Sequence, residues 1–156
     1  MNIGKRLLAG LAAGAAGTTA LNTVTYLDMA IRGRGTSSTP EDTVEAMATK
    51  TGSHVPGGEE SRKNRDSGLG ALLGILAGLG VGAVLGAAHG VGRRPNLAAA
   101  ALLTGLGAMI ATDAPMAALG VSDPRTWQPA DWASDALPHL AYGLTTAAVV
   151  RALSGS

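Results

Sequence analysis

"GALLGILAGLGVGAVLGAAHG", residues 70–90, sets a glycine at every fourth position: Gly70, Gly74, Gly78, Gly82, Gly86 and Gly90. Between them stand Leu, Ile, Val and Ala, with no acid and no Lys or Arg. Glycine is a poor helix residue in water. In lipid the balance differs. Lipid tails are as apolar as leucine, so helices associate through close packing, and small residues let backbones approach. The run therefore reads as a membrane helix carrying a glycine zipper. At 3.6 residues per turn, each step of four advances roughly 40° around the axis. Five steps wind the row about half way round. A partner crossing at about −40° follows part of such a row and then diverges. This helix is expected to be central and to touch at least two neighbours.

Working outward, three more stretches are nearly free of charge. Leu7 to Met29 holds only Asp28, near its end. Asn96 to Leu119 holds only Asp113, and Asp131 to Val150 holds Asp131 and Asp135, both near its start. Each stretch has the roughly 20 residues that a helix needs to cross a bilayer core. A lone strand would leave its backbone unpaired in lipid. The expected fold is all-α: a single integral membrane domain over 1–156, built as a four-helix bundle. Its helices are expected at about 7–30, 68–91, 97–119 and 131–152, with a loop at 32–66. Lys5 and Arg6 before the first apolar run also suit a signal peptide, but that run continues past the length of one and three spans follow. A soluble bundle would show charged helix faces, and these segments show none.

Composition agrees. Of 156 residues, 46 % are hydrophobic and 15 % charged, yet Phe is absent while Gly occurs 23 times. A soluble core of this size draws on large aromatics for buried area; here it would rest on Ala, Gly, Leu and Val. Cysteine is absent, which excludes disulfides and thiol chemistry. The net charge of +1, without a basic block, gives nucleic acid no footprint. The partners expected are the lipid bilayer and a homo-oligomer or larger membrane assembly.

The other spans offer small surfaces: Gly10, Gly14 and Gly17 in the first, Ala100, Thr104 and Ala108 in the third, Gly143 and Ala147 in the fourth. In the first loop, "TPEDTVEAMATKTG" predicts a short amphipathic helix at about 40–50, capped by Thr39 and stopped by Gly52, resting on the membrane or the bundle. The "GSHVPGGEESRKNRDSG" that follows reads as a mobile linker. Lys5, Arg6, Arg93, Arg94 and Arg151 share one side of the expected topology; the other side carries Arg125 in the third loop and Arg32, Arg34, Lys50, Arg62, Lys63 and Arg65 spread over the first, and the balance leans towards both termini in the cytoplasm.

Ionisable groups at membrane depth are site candidates. With alternating helices, Asp28, Asp113, Asp131, Asp135 and His139 gather at one end of the bundle, and His89 lies at the other. Asp131, Asp135, His139, Tyr142 and Thr146 fall on one helical face. Pro138 within it frees the carbonyl of Ser134. The first span carries a shorter stripe in Thr18, Asn22 and Thr25, beside Tyr26. Lipid would penalise either stripe, so the two are expected to face a shared wet crevice. The acid/imidazole pair can share a proton or cation, or form a plain hydrogen-bonded clasp, with Arg32, Arg34 or Arg125 pairing the acids. Zinc would need Asp113 or Asp28 to converge on the pair as well, and no metal or cofactor is expected. Trp127 and Trp132 suit an interfacial aromatic belt.

No G-x-S-x-G, H-E-x-x-H or Walker loop occurs, and Gly78, Gly80 and Gly82 follow no strand, so a dinucleotide fingerprint fails on context. No enzyme is expected. "DWASDALPHLAYG" resembles the last helix of uncharacterised small bacterial inner-membrane proteins of the YagU type, through Trp132, Asp135, His139, Tyr142 and Gly143. The first span and "RGRGTSSTPEDTVEAMA" resemble an uncharacterised small membrane protein of actinobacteria. These resemblances imply a four-helix protein of the bacterial inner membrane and no particular activity. The function expected is a non-enzymatic structural or accessory membrane component. The alternative is a small proton- or cation-coupled transporter or channel using the carboxylate/His cluster.

Overall fold

The computed structural model describes residues 1–89 and 95–155. Gly90, Arg93 and Arg94 lie outside the described residues. Among the described residues five α-helices run in order: α1 Ile3–Arg32, α2 Thr39–Lys50, α3 Glu59–Ala88, α4 Leu97–Leu119 and α5 Pro129–Ser154, with a 3-10 turn at Pro124–Thr126. No strand occurs among the described residues. The ends have local causes. The side chains of Asn2 and Asn96 accept from the backbone N–H of Lys5 (2.9 Å) and Ala99 (2.8 Å), closing open donors at two N-termini. Gly33 (φ 62°) and Gly120 (φ 78°) end α1 and α4 in the left-handed region that favours glycine.

Among the described residues three helices, α1, α3 and α4, are long and apolar enough to cross a membrane. α5 is long enough too, but Asp135, Pro138, His139 and Tyr142 dilute its apolar run below theirs. Burial is distributed inside out. Ala9, Gly10, Ala13, Gly14 and Gly17 are buried on α1, and Ala100, Ala101, Thr104, Gly105 and Ala108 on α4. The large aliphatics point outward: Leu8 is 66 % exposed, Val84 70 % and Ile110 65 %. Water would penalise such a surface; hydrocarbon would not.

α1 lies between α3 and α5, and α5 lies between α1 and α4. Contact between α3 and α4 is sparser. The glycine-rich helix is therefore not the hub of the fold, and its most apolar stretch is the least buried of the three. Its glycines nonetheless divide among partners. A methyl group on Gly82 would come within 2.6 Å of Gly14 Cα, and one on Gly86 within 2.6 Å of Gly10 Cα. Reciprocally, a methyl on Gly10 would stand 2.9 Å from Ala83 Cα. One turn along, Gly78 meets Thr18 and Tyr142, whereas at Gly74 an added methyl would meet nothing. Gly70 packs on Pro40 of α2 instead. The 40° drift per step carries the row off α1 and onto α2. Small residues also join α4 to α5, where a methyl on Gly143 would lie 2.6 Å from the Gly105 nitrogen.

Two readings of the first loop need correction. α3 starts at Glu59, not near 68, so most of the expected linker is helix. Glu59 and Glu60 suit the positive end of the helix dipole, and a helical spacing from Glu59 to Lys63 favours attraction. The other concerns α2. It rests on the bundle, with Val44 buried, Ser67 Oγ donating to Glu41 Oε1 (2.7 Å) and Lys50 Nζ donating to the Ala118 carbonyl (3.3 Å). Its cap is Ser38, one residue before the expected Thr39.

The connection before α5 is ordered by its own side chains. Trp127 and Trp132 meet edge to face at 5.0 Å, and Trp127 Nε1 donates to Ser122 Oγ (3.0 Å). Arg125 pairs with Asp123 (2.8 Å) rather than with an acid of the helices. That guanidinium, together with the Arg125 backbone N–H, holds the Asp123 carboxyl below the usual carboxylate range. A lowered folded value means the contact contributes above the unfolded value of about 3.9 and is lost as pH falls through the folded one. NMR titration should place the Asp123 carboxyl midpoint below about 3.9 in the folded protein, and Arg125→Ala should raise it to that value. An unshifted midpoint in the parent protein would show the pair to be open in solution.

Candidate functional site

The polar stripes of α1 and α5 line one cleft. Its volume is about 430 Å³, and α1, α3, α4 and α5 all contribute walls. Thr18, Asn22, Thr25 and Tyr26 come from α1; Asp135, His139 and Tyr142 come from α5. Asp113 of α4 joins them, beside Thr112. The rest is mostly apolar, including Leu21, Met29, Ile75, Val81 and Met116. The sparse contact between α3 and α4 leaves room for it.

The geometry at the acidic end is specific. His139 is 8 % exposed. Its Nδ1 stands 2.8 Å from the Asp135 carbonyl oxygen and 3.3 Å from Asp135 Oδ1. Both neighbours are acceptors, so in the neutral ring the proton sits on Nδ1 and Nε2 is an acceptor. Asp113 of α4 lines the same cleft as Asp135 and His139 of α5, and Thr112 Oγ1 lies 3.4 Å from its Oδ1. Tyr142 is 1 % exposed and donates its hydroxyl to the Gly78 carbonyl (2.6 Å), tying α5 to α3 at the inner wall. Thr146, the last residue of the stripe, is fully buried against Gly17 and does not reach the cleft.

Two expected members stand apart. Asp28 is held by Arg34 Nε (2.5 Å) and Arg32 Nη1 (3.4 Å), and Arg32 also donates to Ser134 Oγ (2.7 Å). That network clasps the end of α1 to α5, outside the cleft lining. Asp131 is exposed and accepts from the Gln128 backbone N–H (2.9 Å), so it caps α5. Among the six glycines, Gly70, Gly74 and Gly78 border the cleft, and Gly82 and Gly86 lie on α1 beyond it.

Glu41 is a cleft residue that the sequence hid. It enters from α2, together with Thr36, Ser37 and Pro40, which line the end where α2 sits. Its Oε2 is buried without a hydrogen-bond partner, and so is Asp135 Oδ2. In the sequence Glu41 reads as a charge suited to a helix start, and nothing local signals that its helix folds back onto α3. Among the described residues, no three His, Asp or Glu side chains converge in a way that could hold a metal ion. No family model, curated protein or solved structure matches the chain.

Proposed function

We propose that this chain is a four-helix integral membrane protein whose cleft takes up a proton or a cation. In this reading α1, α3 and α4 cross the bilayer, and α5 crosses with them, its polar face turned from lipid by α1 and α4. Small-xxx-small contacts hold the helices, with Gly10 and Gly14 against Gly82 and Gly86 as one seam and Gly105 against Gly143 as another. The first nine residues of α3 stand above the apolar zone, and α2 packs there. In this reading the termini lie on the cytoplasmic side of a bacterial inner membrane, which Lys5, Arg6 and Arg151 favour.

One observation carries the functional reading. Asp113, Asp135 and His139 come from two helices to one cleft with apolar walls. Ionisable groups are costly at membrane depth and mark ion or proton pathways. A purely structural or accessory role accounts for the glycine seams and leaves the orphaned carboxylate oxygens without a purpose.

The test is flux. In proteoliposomes carrying the full chain, a pH or potassium gradient should dissipate faster than in empty vesicles. Asp135→Asn should reduce that excess about tenfold or more, as expected where one charge stabilises a desolvated ion. An excess flux unaffected by Asp135→Asn, or no excess at all, would remove the transport reading.

A further inference from the structure

We propose that the cleft is a binding site for an amphipathic organic cation: an amine, quaternary ammonium or phosphonium group borne on an apolar body. The inference rests on the reading of the cleft as a cation site and names the class of cation. It stands first on the sign of the lining. Among the described residues, Glu41, Asp113, Asp135 and His139 are its ionisable groups besides two tyrosines, and no Lys or Arg lines it. The arginines nearest in sequence to the α1 end, Arg32 and Arg34, are engaged by Asp28, Ser134 and the Gly35 carbonyl.

The second ground is a set of acceptors without donors. Glu41 Oε1 is satisfied by Ser67 and Asp135 Oδ1 faces His139, but Glu41 Oε2 and Asp135 Oδ2 are buried and unpartnered. His139, more than nine-tenths buried, spends Nδ1 on Asp135. A buried acceptor left unsatisfied costs the full desolvation of that group. Two such acceptors on one cleft, Glu41 Oε2 and Asp135 Oδ2, call for a guest that brings positive charge.

The third ground selects the kind of cation. A small inorganic ion wants several oxygens in a tight shell, and among the described residues no three acidic or imidazole side chains form one. A hydrated ion would leave its water against Leu21, Met29, Ile75, Val81 and Met116, which offer no hydrogen bonds. A cation wrapped in hydrocarbon matches both surfaces. The volume of about 430 Å³ falls in the range of sites for drug-sized ligands.

The experiment uses the full chain in phosphatidylcholine nanodiscs, with empty nanodiscs as the blank. The probe is tetraphenylphosphonium; tetraphenylborate, of the same shape and opposite charge, is the control. Saturable binding of the phosphonium above the blank, and none of the borate, is the expected result. Asp135→Asn should weaken the phosphonium about tenfold or more. Gly74→Leu should do the same by filling the cleft wall. A methyl at Gly74 meets no neighbouring atom, and an unchanged helical signal and elution of the nanodiscs verify that the Leu variant folds. Equal binding of both probes, no saturable binding above the blank, or parent-like affinity in both folded variants would each overturn the proposal. Flux measured on the same preparation separates the two readings. Asp135-dependent proton or potassium flux without phosphonium binding overturns the organic-cation site and leaves ion handling standing. Phosphonium binding without inorganic flux supports the site and removes ion transport.

Discussion

Gly82→Leu leaves the chain unable to assemble its bundle, and even Gly82→Ala costs about 2–3 kcal/mol, the upper part of the range for overpacking. A single methyl at Gly82 points into backbone: the Gly14 Cα at 2.6 Å, the Gly14 nitrogen at 2.7 Å and the Gly10 carbonyl oxygen. Backbone cannot rotate away as a side chain can, so α1 and α3 must separate. Separation also opens the neighbouring contacts at Gly10, Gly14 and Gly86, because they lie along the same seam. The control sits two residues away. At Gly80 an added methyl meets nothing within reach, and Gly107 of α4 is likewise open. Gly80→Ala and Gly107→Ala should therefore stay within about 0.5 kcal/mol of the parent, as open-surface changes do. Unfolding in mixed micelles, followed by helical signal and by the tyrosine environment, measures all three. Equal stability of Gly82→Ala and Gly80→Ala would show that the seam is looser than these contacts require.

The contrast between Gly82 and Gly80 also shows where sequence reading stops. The spacing from Gly70 to Gly86 says that small residues recur at helical intervals, and the 40° drift says that one partner cannot use them all. Neither statement says which helix is the partner. Alternating direction made α1 and α3 antiparallel, but it left the lateral order open, and so the glycine row was given the centre that α1 and α5 hold. The stripe on α5 was legible because Asp135, His139 and Tyr142 share a helical face and lipid would penalise it. Its two ends were not. Asp131 has the same period but lies in the first turn, where a capping role to Gln128 takes it. Asp28 has two arginines within six residues, and those local partners outcompete a distant cleft. Glu41 was missed for the opposite reason: a local explanation was sufficient, while its environment is set by a contact with Ser67 that spans 26 positions. The start of α3 at Glu59 escaped because a polar helix shows no apolar period, and its docking under α2 is tertiary.

Tyr142→Ala should cost about 3 kcal/mol, the low end of what a large buried ring costs in soluble cores. Tyr142 is the largest fully buried side chain, at 1 % exposure. Its ring lies where a methyl on Gly17 would approach within 2.8 Å, and its hydroxyl reaches the Gly78 carbonyl (2.6 Å), so one residue fills the junction of α1, α3 and α5. Between helices in lipid the water-transfer part of the usual penalty is small, because the separated surfaces also meet hydrocarbon. What remains is the loss of dispersion contacts around a void, and that void would open beside His139 and Asp135, where polar partners can admit water. Tyr142→Phe separates the two contributions. It keeps the ring and deletes the hydroxyl, and the Gly78 carbonyl still has its own helical N–H partner to accept from, so the cost should be about 1 kcal/mol. If Phe proves as damaging as Ala, the hydrogen bond to Gly78 holds the junction and the ring is filler. If Ala is as mild as Phe, the three helices are held by the glycine seams alone, and the inner wall of the cleft needs no ring to keep its shape.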